Sequence, residues 1–176
     1  MPILIRKLDR RAVLTMGELP QEVLNDMGRR DQRDTGSRRW QVGCVVADVN
    51  AAKSKFQRSV EKHVDDRDKR KSFATMVGAL FDAVCHDDYQ EFLSDGNVAC
   101  KIAKQFKFDG HNHNLWELKY GKKDRLYFFP ITNGQQRTIV LLMAFHKKDQ
   151  RTPEEVDSCV ADAKMLLRDR GELKYC

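Results

Sequence analysis

Apolar positions along the chain repeat with different periods, and each period predicts an element. Trp40 to Val49 is rich in Val with a partly continuous apolar run, which predicts a strand covered on both faces. Ala52, Phe56, Val60 and Val64 recur every fourth residue, one narrow helical stripe with Arg58, Glu61 and Lys62 outside it. Phe73, Met76, Val77, Leu80, Phe81 and Val84 sit at spacings of three and four, the strongest helical pattern in the chain. Phe92 and Leu93 extend it until Ser94-Asp95-Gly96. Val98, Ile102 and Phe106 mark a further helix, with Lys101, Lys104 and Lys107 on its other faces. Asp109 to Asn114 is a loop by composition.

Three strands in meander order follow, at about 115–120, 125–132 and 136–145. Asn133-Gly134 between Thr132 and Gln135 predicts a tight type I′ hairpin. That register sets Thr132 against Gln135, Phe129 against Thr138 and Arg125 against Leu142. Pro130 cannot donate to a ladder, so it belongs at a bulge or on an unpaired side. Thr152-Pro153-Glu154-Glu155 reads as a capping box, with Thr152 as N-cap. Val156, Val160, Ala163 and Leu167 give the final helix its buried stripe, and Gly171 ends it. Upstream, Glu18 to Leu24 opens a short helix with Pro20 in its first turn, and Gly28 to Arg39 is a charge cluster that reads as a solvated linker. Residues 1–37 are thus an unassigned N-terminal extension to a domain over 38–176.

At 176 residues the chain is long enough to bury a substantial core. Its net charge of +6 favours an acidic partner, with nucleic acid foremost. Five cysteines without CxxC spacing, and no signal peptide, suit a reduced cytoplasmic protein. No apolar run approaches the length of a membrane helix. No Gly-rich phosphate loop and no nucleophile elbow is present. His111-Asn112-His113 lacks a third ligand fixed nearby, and the cysteines do not cluster, so neither metal nor cofactor is expected.

Positive charge instead gathers around the strands. Lys119, Lys122, Lys123 and Arg125 flank the first hairpin, Arg137 lies early on the third strand, and His146, Lys147 and Lys148 follow its end. Such a rim also blocks sheet-to-sheet aggregation, so charge alone does not assign a function.

The order of residues adds a resemblance. Leu115-Trp-Glu-Leu-Lys119, then Arg125-Leu-Tyr-Phe-Phe129, then Phe145-His-Lys-Lys148 and Thr152-Pro153 resembles the RelE/ParE toxin superfamily, most closely its phage-related HigB-type branch. The likeness covers roughly residues 89–170. It implies an α+β fold with N-terminal helices packed on an antiparallel β-sheet and a C-terminal helix. It implies the toxin of a type II toxin–antitoxin pair, a metal-independent, ribosome-dependent mRNA endonuclease. In that chemistry the RNA 2′-OH attacks its own phosphate, so the protein orients the chain, offsets charge and moves protons. Arg125 would hold the phosphate, with His146 and Lys148 as acid and base. Lys119, Lys122, Lys123, Arg137 and Lys147 would bind RNA. The partners implied are mRNA on the ribosome and a cognate antitoxin. Two alternatives keep the fold without the cleavage: a phage or mobile-element protein that binds a host protein or nucleic acid, and a ParE-like gyrase inhibitor.

Overall fold

The computed structural model describes residues 2–19, 21, 24, 25, 38–94, 96–149 and 151–176. In chain order the elements are β1 (Leu4–Lys7), α1 (Arg10–Met16), β2 (Gln41–Val46), α2 (Lys55–His63), α3 (Arg67–Ala83), α4 (Tyr89–Ser94), β3 (Ala99–Phe108), β4 (His111–Tyr120), β5 (Asp124–Asn133), β6 (Gln136–His146), α5 (Glu155–Arg168) and β7 (Lys174–Tyr175). The strands form one seven-stranded sheet in the order β3-β4-β5-β6-β2-β1-β7.

β3 to β6 make an antiparallel meander. β2 then runs parallel to β6, β1 antiparallel to β2, and β7 parallel to β1. The expected layout, N-terminal helices on an antiparallel sheet closed by a C-terminal helix, is therefore corrected. The sheet is mixed, it is larger than the meander, β1 and β2 come before and between the N-terminal helices, and a strand follows α5. The parallel pairs join segments far apart in the chain and leave no local mark in the sequence. Part of the stretch left unassigned by the sequence supplies β1 and α1. Pro20, Glu22, Val23 and residues 26–37, on which the short helix and most of the expected linker fall, lie outside the described residues.

Both faces of the sheet are covered. On one, Leu118, Leu126, Phe128, Ile139, Leu141 and Ala144 pack against α1 to α4. On the other, Leu115, Tyr127, Phe129, Val140, Leu142 and Phe145 pack against α5 through Val156, Cys159, Val160, Ala163 and Leu166. Each fully buried large apolar side chain contributes about 2 kcal/mol. Double coverage explains why β5 and β6 read as near-continuous apolar runs and not as alternating ones.

Several local expectations change. The stretch expected as a helix over 98–106 instead falls on the strand β3, Ala99–Phe108. A register shift between Ile102 and Lys104 breaks the alternation of β3, so its apolar residues imitate a helical spacing. Residues 109–114 are not a loop either. Asp109 (φ 48°) and Gly110 (φ 76°) make a two-residue turn, and β4 starts at His111. The type I′ hairpin chemistry thus belongs to Asp109-Gly110. In the β5–β6 hairpin the turn residues are Gly134 (φ 60°) and Gln135, so Thr132 faces Arg137, Phe129 faces Val140 and Arg125 faces Phe145. Pro130 lies beyond the last β4 partner, Phe128, on a side of β5 that needs no donor.

The long helical pattern ends at Ala83 and resumes at Tyr89 as α4. Arg39 and Trp40 donate their backbone N–H groups to the Val84 carbonyl, which ties the end of α3 to the approach of β2. α5 starts at Glu155 behind Glu154, with no side-chain cap, so the capping box at Thr152 does not form.

α2 occupies an unusual place. β2 pairs with β6 only over Thr138–Val140, and α2 lies along the rest of that edge. Ser59 Oγ accepts from the Ala144 N–H at 2.9 Å while donating to the Phe56 carbonyl, and the His146 N–H points at His63 Nδ1 at 3.5 Å. Four residues on a helix and two on a strand advance by nearly the same distance, about 6 Å, so the helix can serve alternate N–H groups of the strand.

Candidate nucleic-acid interface

The β4–β5 turn and the end of β6 are drawn together by pairing. Lys119 faces Arg125, Arg125 faces Phe145, and Asp124 faces both Tyr120 and His146. The Lys147 N–H donates to the Lys123 carbonyl at 2.9 Å. Seven of the eight basic residues singled out from the sequence therefore meet at one end of the sheet. They are Lys119, Lys122, Lys123, Arg125, His146, Lys147 and Lys148. Lys122, Lys123 and Lys148 are exposed, Lys119 and His146 are partly buried, and Lys147 is buried.

Arg137 is elsewhere. It is the second residue of β6, about 30 Å along the strand from His146. There its guanidinium bonds Asp87 at 2.6 Å and lies over the Trp40 ring. That pairing holds the Asp87 carboxyl below the usual carboxylate range.

Arg125 and His146 do not share a face. Arg125 pairs with Phe145 on the α5 side, and His146 pairs with Asp124 on the other. Arg125 is only 3% exposed. Its two terminal nitrogens donate to the Asp124 and Lys122 carbonyls at 2.9 and 3.0 Å, and its Nε stands 3.6 Å from Glu117. The fork that was expected to hold a phosphate instead shapes the β4–β5 turn.

Two acids at this end escaped the sequence reading. Glu117 of β4 lies beside Arg125, with Lys147, Lys119 and Lys101 around it. Burial nevertheless dominates and raises its pKa, with those cations opposing. Its register partner Tyr127 is almost fully buried, and burial raises its pKa too. Asp124 bonds His146 Nδ1 at 2.7 Å. His63, its ring tilted against that of Phe145, has a pKa lowered first by burial and then by Lys62. The alternation of β4 could have placed Glu117 on the face of Lys119. Nothing local could have paired Asp124 with His146, because that depends on the register of the whole hairpin.

The electrostatic result is an end of the sheet where Glu117 and Asp124 are engaged internally while Lys122, Lys123 and Lys148 are exposed. Such a surface can hold an extended polyanion by several phosphate contacts. Among the described residues no group of three or more His, Cys, Asp or Glu side chains is placed to hold a metal ion, and no helix is long and apolar enough to cross a membrane. Compared with protein-family models, curated proteins and solved structures, the chain matches none.

Proposed function

We propose that this protein binds single-stranded RNA through the cationic end of its sheet. The observation that carries the reading is the junction of the Lys122-Lys123 turn with the His146-Lys147-Lys148 segment by the Lys147–Lys123 backbone bond. Basic groups distant in sequence thereby share one surface, while Glu117 and Asp124 are occupied by Arg125 and His146. Lys122, Lys123 and Lys148 meet the phosphates. Arg125 holds the turn that presents them.

Titration of a labelled oligonucleotide tests this. The double variant Lys122→Glu/Lys123→Glu should weaken binding of single-stranded RNA by about a hundredfold, since each lost phosphate contact and each introduced repulsion is worth roughly 1 kcal/mol or less near the surface. Arg137→Ala should leave binding unchanged. Equal losses from both changes would defeat the assignment of this surface.

A second reading is favoured by one specific contact. The Asp124 carboxylate at 2.7 Å from His146 Nδ1 orients the ring and leaves Nε2 as the nitrogen available to a substrate. On that reading the protein is a metal-independent mRNA endonuclease acting on the ribosome, the toxin of a toxin–antitoxin pair. His146 moves the proton and the surrounding lysines offset phosphorane charge, without Arg125 touching the phosphate. Expression in cells should then stop growth and yield cut transcripts, and His146→Ala should abolish cleavage while retaining RNA binding. Intact transcripts leave the binding reading alone, and a DNA-damage response would point to gyrase.

A further inference from the structure

The outer face of α3 forms the floor of a groove with a volume of about 1050 Å³. Its floor carries Ala74 and Gly78, and its walls are Leu19 on one side and Phe92, Leu93 and Val98 on the other. The lining runs from Arg67 to Asp82, about 22 Å of helix. It shares no residue with the cationic end of the sheet.

Three features of the groove are left unexplained by the fold alone. Phe92 is 44% exposed, one of three large apolar side chains so exposed among the described residues. Gly78 lies mid-helix, where glycine is among the poorest helix formers, and a Cβ at this position would meet no atom of the described residues within 4 Å. A methyl would fit the folded chain, so its absence suits the close approach of another backbone. Finally, Arg67 and Lys71, one turn apart at the start of α3, make no ion pair among the described residues. Their neighbours are engaged: Arg70 with Glu18 at 3.0 Å, and Lys69 with Asp65 at 2.8 Å. At the far end Asp82 is held by Arg10 at 2.7 Å. Asp68, also on the lining, is outnumbered by the two cations and by the positive end of the α3 dipole.

We propose that the groove receives an amphipathic helix from a different protein, running antiparallel to α3 with an acidic end over Arg67 and Lys71. The dimensions fit about four helical turns laid apolar side down. Nearer occupants fit poorly. Leu24, just beyond the Leu19 wall, is already buried in the core and is not part of the groove lining. The chain's own segment 28–39 has five arginines against two aspartates and no large apolar side chain. A second copy has no exposed apolar helix to offer, because Phe92 is the only large apolar residue of the described helices that is so exposed.

The test uses the full chain and two synthetic amphipathic helical peptides of that length. Both carry leucines at every third and fourth position. One ends in a pair of glutamates and the other in a pair of lysines. Fluorescence anisotropy should show the glutamate peptide binding at least about tenfold more tightly. Gly78→Leu, which fills the floor, should reduce its binding by about tenfold or more without lowering the melting temperature. Arg67→Glu/Lys71→Glu should invert the preference between the peptides, which keeps the test decisive even if Gly78→Leu disturbs folding. The proposal fails if neither peptide binds, if both bind equally, or if the charge reversal leaves the preference unmoved. Binding of dodecanoate in place of either peptide would make this a lipid groove and overturn it as well.

Discussion

Arg125 shows how burial decides the role of a side chain. In the sequence it is a strand arginine near lysines, the pattern of a phosphate ligand. In the fold it is enclosed, and its nitrogens serve two carbonyls of the turn and the Glu117 carboxylate. Arg125→Ala should therefore destabilise the fold by about 3 kcal/mol, because it leaves a half-buried carboxylate and two carbonyls without their partner. Urea denaturation checks this, and a variant as stable as the parent would return Arg125 to the list of free ligands. Glu117 supplies a pH test. Its folded pKa is raised, so its contribution to stability is fully present below the ordinary carboxylate value and is lost as pH rises through the folded value. Glu117→Gln should accordingly raise the melting temperature relative to the parent at neutral pH, and that advantage should shrink on acidification through the carboxylate range. An advantage that grows toward acid would mean that the salt bridge with Arg125, not burial, governs this carboxyl.

At the scale of elements, what was legible depended on whether a pattern was local. α2, the start of α3 and the three strands of the meander's later part follow from apolar spacing, since each buries one side or both against a neighbour. β3 did not, because the shift beside Ala103 moves its apolar residues from one face to the other and destroys the period of two. The β5–β6 register also escaped, since Asn133 pairs with Gln136 and the turn moves one residue on, and Leu142 is an extra residue opposite Tyr127–Phe128. Of the candidate site, the sequence revealed the lysines of the turn and of the β6 end but not which face each neighbour takes. Two element-scale predictions follow from contacts that no pattern announces. Gly43→Ala should cost about 2 kcal/mol, because its Cβ would stand 2.6 Å from Ile5 and 2.8 Å from the Arg6 carbonyl where β1 crosses close to β2. Ser59→Ala should cost a similar amount, about 2 kcal/mol, by leaving the buried Ala144 N–H without an acceptor. Chemical denaturation measures both, and values near zero would show that the strand and helix relax to satisfy themselves.

For the whole molecule, the decisive property is the arrangement of charge over a sheet that both faces protect. The net charge of +6 could have been spread evenly, and pairing concentrates part of it at one end. RNA affinity should therefore fall with rising salt. Its logarithmic slope should become shallower by about 0.7 for each phosphate-contacting lysine removed, a figure expected of single strands. A slope that ignores Lys122, Lys123 and Lys148 would place the nucleic acid elsewhere. The mixed topology itself lay beyond the sequence, because Gln41 meets Thr138, and Leu4 meets Lys174, only after the intervening elements have packed.

α2 stands in for a strand along half of β6, and that substitution has a cost in vulnerability. A neighbouring strand would be zipped by a ladder of backbone bonds, whereas the helix offers one serine and one histidine. Should α2 peel away, β6 would present an unguarded seam in the middle of the sheet, open to a β-segment from another molecule. Loosening the Ser59 and His63 contacts should therefore favour entangled dimers before it favours unfolded chains.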